Sequence, residues 1–284
     1  MITTRDHEYR MLAWRFKQAG IENPSLDARL LVQAAAGCDE IEMIREPGKR
    51  LGEADVEKLR TFEARRMAHE PVSRILGSRE FWGLAFEVTP ATLDPRPDSE
   101  TLIATALDLL GKVTAPRILD IGTGTGCLLI SLLHERKDAG GLGVDISEEA
   151  LAVAARNAAS LGCADRAAFR RASWAQGIDE RFDLVISNPP YIPTAVIATL
   201  DEEVKAFDPS LALDGGVDGY DAYRAIGAEL PRLLKPESHA VVELGIGQDA
   251  DVAKIFSEAG LEVLDVVADL AGVPRAIVAR LPRR

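Results

Sequence analysis

Residues 117–126 read R-I-L-D-I-G-T-G-T-G, an apolar run that ends in alternating glycines. The run predicts a buried β-strand over 117–121, and the glycines predict a tight turn into a helix over 127–134. Glycine lets the backbone turn sharply and lets a ligand approach the main chain closely. The first turn of a helix adds N–H groups without intrahelical partners. The stretch therefore predicts a ligand-binding loop at the end of a strand.

Downstream of this loop, short β-rich runs alternate with helical runs. We predict strands at 142–145, 167–171, 182–187, 240–244, 261–267 and 276–280, and helices at 148–160, 220–234 and 248–259. This alternation is typical of an α/β domain with a parallel sheet covered by helices on both faces. The last two strands have no helix between them, so we expect them to pair antiparallel.

Upstream of the loop, apolar residues at helical spacing predict a small helical bundle. The predicted helices cover 4–19, 26–36 and 53–68. Ser25 is expected to cap the second helix, and Pro71 is expected to end the third.

A linker is predicted between the bundle and the α/β domain. Phe81, Trp82 and Gly83 lie in a predicted hairpin, and three prolines within 89–98 indicate an extended connector. We place the domains at 1–76 for the helices, 77–98 for the hairpin and proline-rich linker, and 99–284 for the α/β domain.

The composition of the 284-residue chain limits its partners. Its net charge is −12, and the 14 basic and 14 acidic residues through Glu80 cancel, so the negative charge lies downstream. This balance argues against a protein held to nucleic acid by a general basic surface. Three cysteines without C-x-x-C spacing argue against a disulfide framework or a metal site. No apolar run reaches the roughly 18 residues of a membrane span, so we expect a cytoplasmic protein.

The glycine loop is either a structural turn or a nucleoside-binding loop. A dinucleotide loop has the spacing G-x-G-x-x-G, and its third glycine position is occupied here by Cys127. The D-x-G-x-G-x-G form is more similar to the loop of S-adenosylmethionine-dependent methyltransferases. Asp145 ends the next predicted strand, 19 residues after Gly126, where a carboxylate can bind two ribose hydroxyls.

A second motif, S-N-P-P-Y at 187–191, follows another predicted strand. Ligands of α/β sheets bind beyond the carboxyl ends of the strands, so this motif should lie beside the glycine loop. The prolines stiffen the turn, and the Asn188 side chain and the Pro189 carbonyl become a fixed pair of acceptors. Such a pair can orient a planar NH₂ group so that its lone pair faces a methyl group. The motif predicts methylation of an amide or an aromatic amine.

The two loops together resemble the release factor glutamine methyltransferase family. The resemblance includes E-P-V-S-R-I-L-G at 70–77, R-E-F-W-G at 79–83, P-R-P-D-S-E at 95–100, F-D-P-S-L-A-L-D-G-G-V-D-G at 207–219 and D-L-A-G at 269–272. It implies a seven-stranded, Rossmann-like methyltransferase domain after a helical bundle and a β-hairpin linker. The implied cofactor is S-adenosyl-L-methionine. The implied substrate is the glutamine side chain of the Gly-Gly-Gln motif in peptide chain release factors.

The resemblance also implies residue roles. It assigns the cofactor to Gly122, Thr123, Gly124, Thr125, Gly126, Asp145, Trp174 and Asn188. It assigns the glutamine to Asn188, Pro189, Pro190 and Tyr191, with Asn188, Pro189 and Tyr191 as catalytic residues. Ser173 stands where the family often has Asp, and Ser99 stands where it commonly has Thr.

Other interpretations remain at this stage. One is a glutamine methyltransferase of a ribosomal protein, and another is an adenine amino-methyltransferase of DNA or RNA. A non-catalytic cofactor-binding protein is a third. Arg96 and Glu100 fit either an interdomain salt bridge or a lid over the site. We expect a monomer that acts on a protein, with the helical domain as its docking surface.

Overall fold

The computed structural model describes residues 3–283, and the chain folds as two units. The first, here called the helical unit, contains Met1–Gly77 and Glu202–Phe207. The second, here called the sheet unit, contains Ser78–Asp201 and Asp208–Arg284. The predicted linker over 77–98 lies in the sheet unit except for its first residue.

Amphipathic helices build the helical unit around an apolar core. Its N-terminal helices are α1 (Arg5–Gln18), α2 (Pro24–Ala36), α3 (Glu40–Arg45), α4 (Glu53–Met67) and α5 (Val72–Leu76). Leu12 and Phe16 on α1, Leu31 on α2 and Leu59 on α4 are buried in this core. The predicted helical bundle is confirmed.

The predicted cap of the second helix is wrong, whereas the third helix ends within one residue of its predicted end. Asn23, not Ser25, is the N-cap of α2, and Pro24 occupies the first turn, where its missing N–H removes no hydrogen bond. Helix α4 ends at the Ala68 cap, and Pro71 instead precedes α5. Proline is thus at the start of a helix in both places, because its fixed φ suits that position.

A buried ion cluster joins the two parts of the helical unit. The Arg66 guanidinium donates to Asp27 at 2.7 Å and to Glu203 at 2.7 Å. Arg66 and Asp27 are both buried. Because a buried charge is tolerated only when it is paired, this cluster holds Glu202–Phe207 against the N-terminal helices.

The sheet unit begins with the predicted hairpin. Strands β1 (Ser78–Phe81) and β2 (Leu84–Glu87) pair antiparallel around Trp82 and Gly83, which both have positive φ. Positive φ at both turn residues matches the right-handed twist of the strands. Phe81 and Phe86 are buried, and their rings pack edge to face with 6.3 Å between the ring centroids. The hairpin is anchored by aromatic packing.

The remaining strands form a seven-stranded mixed sheet within the described residues, and helices alternate with these strands along the chain. In chain order they are α6 (Glu100–Leu110), β3 (Arg117–Ile121), α7 (Cys127–Glu135), β4 (Gly140–Asp145), α8 (Glu148–Ser160), β5 (Ala167–Arg171), β6 (Phe182–Ser187), α9 (Thr194–Ile197), α10 (Glu202–Phe207, in the helical unit), α11 (Asp221–Leu233), β7 (Leu234–Glu243), α12 (Asp249–Glu258), β8 (Glu262–Ala268) and β9 (Pro274–Arg280). The strand order is β5-β4-β3-β6-β7-β9-β8. Strands β3 to β7 are parallel, and β9 is antiparallel to both of its neighbours.

The predicted α/β sheet and its antiparallel last pair are therefore confirmed. Alternate residues of β3 point into two cores, since Leu119 joins one apolar cluster and Ile118 joins the other. Helix α11 covers the first cluster through Tyr223, and α7 covers the second through Leu129. Helices thus lie on both faces of the sheet. Among residues 3–283, no helix combines the length and apolar composition that a membrane span requires.

Candidate active site

The two predicted motifs leave neighbouring strands at the same edge of the sheet. Strands β3 and β6 pair in parallel with Ile121 opposite Ser187, and the Ser187 hydroxyl donates to the Ile121 carbonyl at 2.7 Å. The strand order changes direction between β3 and β6, because β4 lies on one side and β7 on the other. Such a switch point leaves a crevice beyond the strand ends where ligands bind.

The glycine loop depends on the backbone conformation and the close packing of its three glycines. Gly122, Gly124 and Gly126 all have positive φ, between 53° and 80°. A Cβ on Gly126 would lie 2.8 Å from Ile130 Cδ1 and 3.2 Å from Ala154 Cβ. Gly126 is therefore the residue that allows close helix packing, and a third glycine at position 127 is not needed.

Asp145 links the glycine loop to the next strand end. Its carboxylate accepts from the Gly124 N–H at 3.0 Å and from the Ser147 N–H at 2.9 Å. Asn157, which the sequence did not single out, donates to the Thr125 carbonyl at 2.9 Å and is buried. The loop is thus fixed from two sides by hydrogen bonds within the protein.

A cavity of about 510 Å³ opens above the two motifs, within the sheet unit. This volume suits a ligand of drug or cofactor size. Eight residues of the predicted site line it: Gly122, Thr123, Gly124, Thr125, Asp145, Trp174, Asn188 and Pro190. Gly126, Pro189 and Tyr191 are not among its lining residues. Residues 90–96, which the sequence assigned only to a connector, form another part of the wall.

Tyr191 is half-buried under the neighbouring loops and does not line the cavity. A Cβ on Gly219 would lie 2.7 Å from the Tyr191 carbonyl oxygen, so this approach requires glycine. The Gln248 side chain donates to the same carbonyl at 3.1 Å. Burial raises the pKa of the Tyr191 hydroxyl to about 12, which keeps the phenol protonated at neutral pH.

Asn188 is held by a hydrogen-bond chain that the sequence did not predict. Its Nδ2 donates to the Ser99 hydroxyl at 3.0 Å, and the Ser99 hydroxyl donates to the Glu243 carboxylate. Ser99 and Glu243 are buried, and burial raises the pKa of Glu243 to about 7. One signal was available, because Glu243 is a charged residue that ends the apolar run A-V-V-E of β7, the strand next to β6.

The similarity of this chain to known proteins agrees with the geometry. Residues 10–77 match the PrmC N-terminal domain, and residues 113–261 match a methyltransferase domain. The chain is 48% identical over 275 residues to the release factor glutamine methyltransferase of Bradyrhizobium diazoefficiens, covering 95% of this chain and 93% of that protein. It is 46% identical to the release factor glutamine methyltransferase of Rhodospirillum rubrum, covering 94% of this chain and 82% of that protein.

This chain belongs to the release factor glutamine methyltransferase family. Solved structures of distant relatives share its fold. A methyltransferase from Pyrococcus furiosus is 15% identical with a TM-score of 0.51, covering 77% of this chain and 97% of that chain. The ribosomal protein L11 methylase of Lactobacillus delbrueckii subsp. bulgaricus is 18% identical with a TM-score of 0.50, covering 68% and 84%. At these identities the similarity shows the fold alone.

The site fits S-adenosylmethionine, the methyl donor of this family of methyltransferases. Asp120 is fully buried behind the glycine loop, and its Oδ2 accepts from the Thr123 hydroxyl at 2.6 Å. Its Oδ1 has no hydrogen-bond partner among the described residues. Burial raises the pKa of Asp120 to about 7. The carboxylate has no cation partner among the described residues, and the loop that it supports lines a cavity of cofactor size.

Trp174 supplies an apolar wall at the same edge. The Ala172 N–H donates to the Asp145 carbonyl at 3.0 Å, so the segment after β5 runs alongside the end of β4. Trp174 has a φ of 53°, an unusual value for a bulky residue, and its half-buried indole lines the cavity. Strained backbone positions of this kind cluster at ligand sites.

Arg96 and Glu100 make contacts within the sheet unit. Arg96 binds Asp208 at 2.6 Å, and Glu100 accepts from the Trp82 N–H at 2.8 Å. Arg96 also lines the cavity. Of the two earlier interpretations, an interdomain salt bridge is wrong for both residues, because each bond joins residues of one unit.

Proposed function

We propose that this protein transfers a methyl group from S-adenosylmethionine to the side-chain amide nitrogen of the glutamine in the Gly-Gly-Gln motif of peptide chain release factors. The observation that carries the proposal is the orientation of Asn188 at the cavity. Its Nδ2 is bound to Ser99, which leaves Oδ1 as an acceptor for an N–H of the substrate.

The proposed mechanism is positioning rather than proton abstraction. An amide nitrogen is a poor nucleophile because its lone pair is delocalised. Asn188 Oδ1 and the Pro189 carbonyl each accept one N–H of the glutamine, which orients the lone pair toward the methyl group. Tyr191 offers no base, since its hydroxyl pKa is raised to about 12. The proton leaves to water after transfer, when the nitrogen has become acidic.

The remaining site residues divide into two roles in this proposal. Cofactor binding is assigned to the loop residues Gly122, Thr123, Gly124 and Thr125, to Asp145 and Trp174, and to Asn188. The Asp145 carboxylate would accept from ribose hydroxyls, and the Trp174 indole would pack on the adenine. Gly126 supports the loop through helix packing, and Pro190 with Tyr191 shapes the glutamine site.

The helical unit is proposed to dock the release factor. A protein substrate fits the charge of the chain, because the residues through Glu80 are neutral overall and the rest carries the −12. Phosphate-rich substrates would be repelled by that charge. We further propose a monomer that works in the cytoplasm and binds no nucleic acid directly.

A methylation assay tests the substrate. The protein is incubated with labelled S-adenosylmethionine and, in parallel, a purified release factor, its Gly-Gly-Ala variant, a ribosomal protein fraction and duplex DNA. The proposal expects label in the release factor and none in its Gly-Gly-Ala variant. Label confined to DNA or to ribosomal proteins would overturn it.

The Asn188→Ala variant tests the mechanism. We expect transfer to fall by at least about 10³-fold, because the acceptor that orients the glutamine is removed. Binding of S-adenosylmethionine, measured by calorimetry, should change by less than about 10-fold. Turnover within a few-fold of the parent protein would contradict the role of Asn188.

A further inference from the structure

Donor and acceptor accounting at Ser99 determines which way the Asn188 side chain faces. A serine hydroxyl has one hydrogen and two lone pairs. Here that hydrogen is donated to the Glu243 carboxylate, which when ionised can only accept. The Ser99 oxygen must then accept from its other neighbour, so Asn188 presents its NH₂ group at 3.0 Å. Its carbonyl oxygen necessarily faces the other way.

We propose that Ser99 and Glu243 are positioning residues that hold Asn188 Oδ1 toward the substrate nitrogen. The proposal rests on the proposed role of Asn188 as the acceptor for the glutamine N–H. Neither residue touches the reacting atoms. They act by excluding the flipped amide, which would present an NH₂ donor to the substrate and repel its N–H groups.

The structural setting makes this control strong. Glu243 ends β7 and Asn188 follows β6, so paired strands hold both ends of the chain of hydrogen bonds. Ser99 precedes α6 and is 2% exposed, while Glu243 is 1% exposed. Because both side chains are almost wholly buried, an unsatisfied polar group at either position is costly.

The arrangement also makes the orientation depend on the proton of Glu243. A protonated Glu243 can donate to Ser99, which frees the Ser99 hydrogen to donate to Asn188 Oδ1 and permits the flipped amide. Burial is the main cause that moves the Glu243 pKa to about 7, so this change falls near neutral pH.

Several titratable groups face Glu243 from the surrounding elements. Arg275 on β9 favours the ionised form, and Asp98 before α6 opposes it. Arg275 is itself bound to Asp98 at 2.8 Å and to Asp269 at 3.1 Å, so it does not pair with Glu243. The other groups that face Glu243 are Cys127, Tyr191 and Tyr223, whose pKa values are all raised by burial. These three groups stay neutral through the pH range in question.

A matched pair of variants at position 99 tests the hydroxyl. Ser99→Thr keeps the hydroxyl. Ser99→Val introduces a side chain of nearly the same shape as threonine but without the hydroxyl. We expect kcat of the Val variant to fall about 10- to 100-fold below that of the Thr variant. The dissociation constant of S-adenosylmethionine, measured by calorimetry, should be equal in the two. Equal kcat values in the two variants would overturn the role of Ser99.

The pH profile tests Glu243 with the protein intact. In the parent, kcat should rise with pH through a midpoint near 7, as Glu243 loses its proton and Asn188 is held in place. Glu243→Gln should lower kcat and abolish this rise, while Arg156→Ala, which removes an exposed charge of the sheet unit, should keep it. A rise that persists unchanged in Glu243→Gln would overturn the role of Glu243.

The Asn188→Ala variant separates the two proposals. In one outcome, Asn188→Ala abolishes transfer, the two variants at position 99 have equal kcat values, and Glu243→Gln keeps the pH profile of the parent. The positioning roles of Ser99 and Glu243 are then wrong, and the proposed function stands. If Asn188→Ala retains turnover, the proposed function of Asn188 is wrong, and the network falls with it.

Discussion

Buried carboxylates occur in both units, but their partners differ. In the helical unit, Asp27 is bound directly by the guanidinium of Arg66. In the sheet unit, Asp120 and Glu243 have hydroxyl partners, from Thr123 and Ser99 respectively. The pKa values of these two groups are raised to about 7 by burial. The charge of Asp27 is neutralised by a cation of the structure, whereas the charges of Asp120 and Glu243 are left for ligands or protons to control.

The difference distinguishes structural burial from functional burial of charge. A paired carboxylate such as Asp27 links elements of the fold and resists change. A buried carboxylate that is incompletely paired has an ionised form of higher free energy. Such groups concentrate at active sites. Asp120 and Glu243 lie at the strand ends β3 and β7, beside the two motifs that line the cavity. Glu243 belongs to neither motif, so its location supports the proposed site independently of them.

The largest expected effect on stability comes from breaking the helical unit's ion cluster. Arg66→Ala removes the cation that balances Asp27 and Glu203, and we expect a loss of about 3–5 kcal/mol in the free energy of unfolding. Denaturant unfolding measures the loss, and hydrogen exchange of α2 and α4 should localise it to the helical unit.

Arg10→Ala is the matched control for Arg66→Ala. Arg10 pairs with Asp6 in the same unit, but its side chain is 75% exposed. We expect a change below about 1 kcal/mol there. Similar losses in the two variants would show that Arg66 is not a buried structural charge.

A smaller effect is expected from neutralising Asp120. Its folded-state pKa, about 7, is above its ordinary value, so stability is lost as the pH rises from about 4 to 7 and the carboxyl ionises. Asp120→Asn removes this loss. The stability of the variant relative to the parent should therefore increase over this range, by roughly 3 kcal/mol.

The same pH series on Asp165→Asn is the control for Asp120. The Asp165 side chain is 79% exposed, so the same substitution there changes no buried group. Its stability difference from the parent should not increase between pH 4 and 7. If the stability difference between Asp120→Asn and the parent also stays constant over this pH range, Asp120 is not a carboxyl group whose pKa is raised by burial.

The smallest effect should come from an exposed pair of the sheet unit. Arg156 binds Glu87 at 2.7 Å, and both side chains are more than one third exposed. We expect Arg156→Ala to change the free energy of unfolding by less than about 1 kcal/mol, with less effect at high salt. A loss comparable to that of Arg66→Ala would mean that burial does not decide what a charge contributes.

Periodicity predicted most of the sheet because its strands are short apolar runs bounded by glycine or polar residues. Strands β3, β5 and β6 have the predicted bounds. Strand β7 begins at Leu234 rather than 240, because it follows α11 without a loop and its first half lacks an apolar run. Helix α6 was missed, since the prolines before it indicated only a connector. Helices α3 and α5 have too few residues to show a period.

The candidate site was predicted as far as its motifs are contiguous in sequence. The glycine loop, Asp145 and the N-P-P-Y loop each follow a recognisable strand. Ser99, Asn157 and Glu243 were not assigned, because their roles come from partners 32 to 144 residues away in the chain. Single serine, asparagine and glutamate residues have no local pattern that reveals such partners.

The fold class, the family and the position of both loops could be predicted without a structure. Each depends on local chemistry, namely apolar runs that form strands, and glycines and prolines that shape turns. The orientation of Asn188 and the lack of a cation beside Asp120 and Glu243 depend instead on the folded arrangement of distant segments. Those properties arise when strand ends from distant parts of the chain meet and exclude water, so that each buried hydrogen must be shared among the few acceptors present.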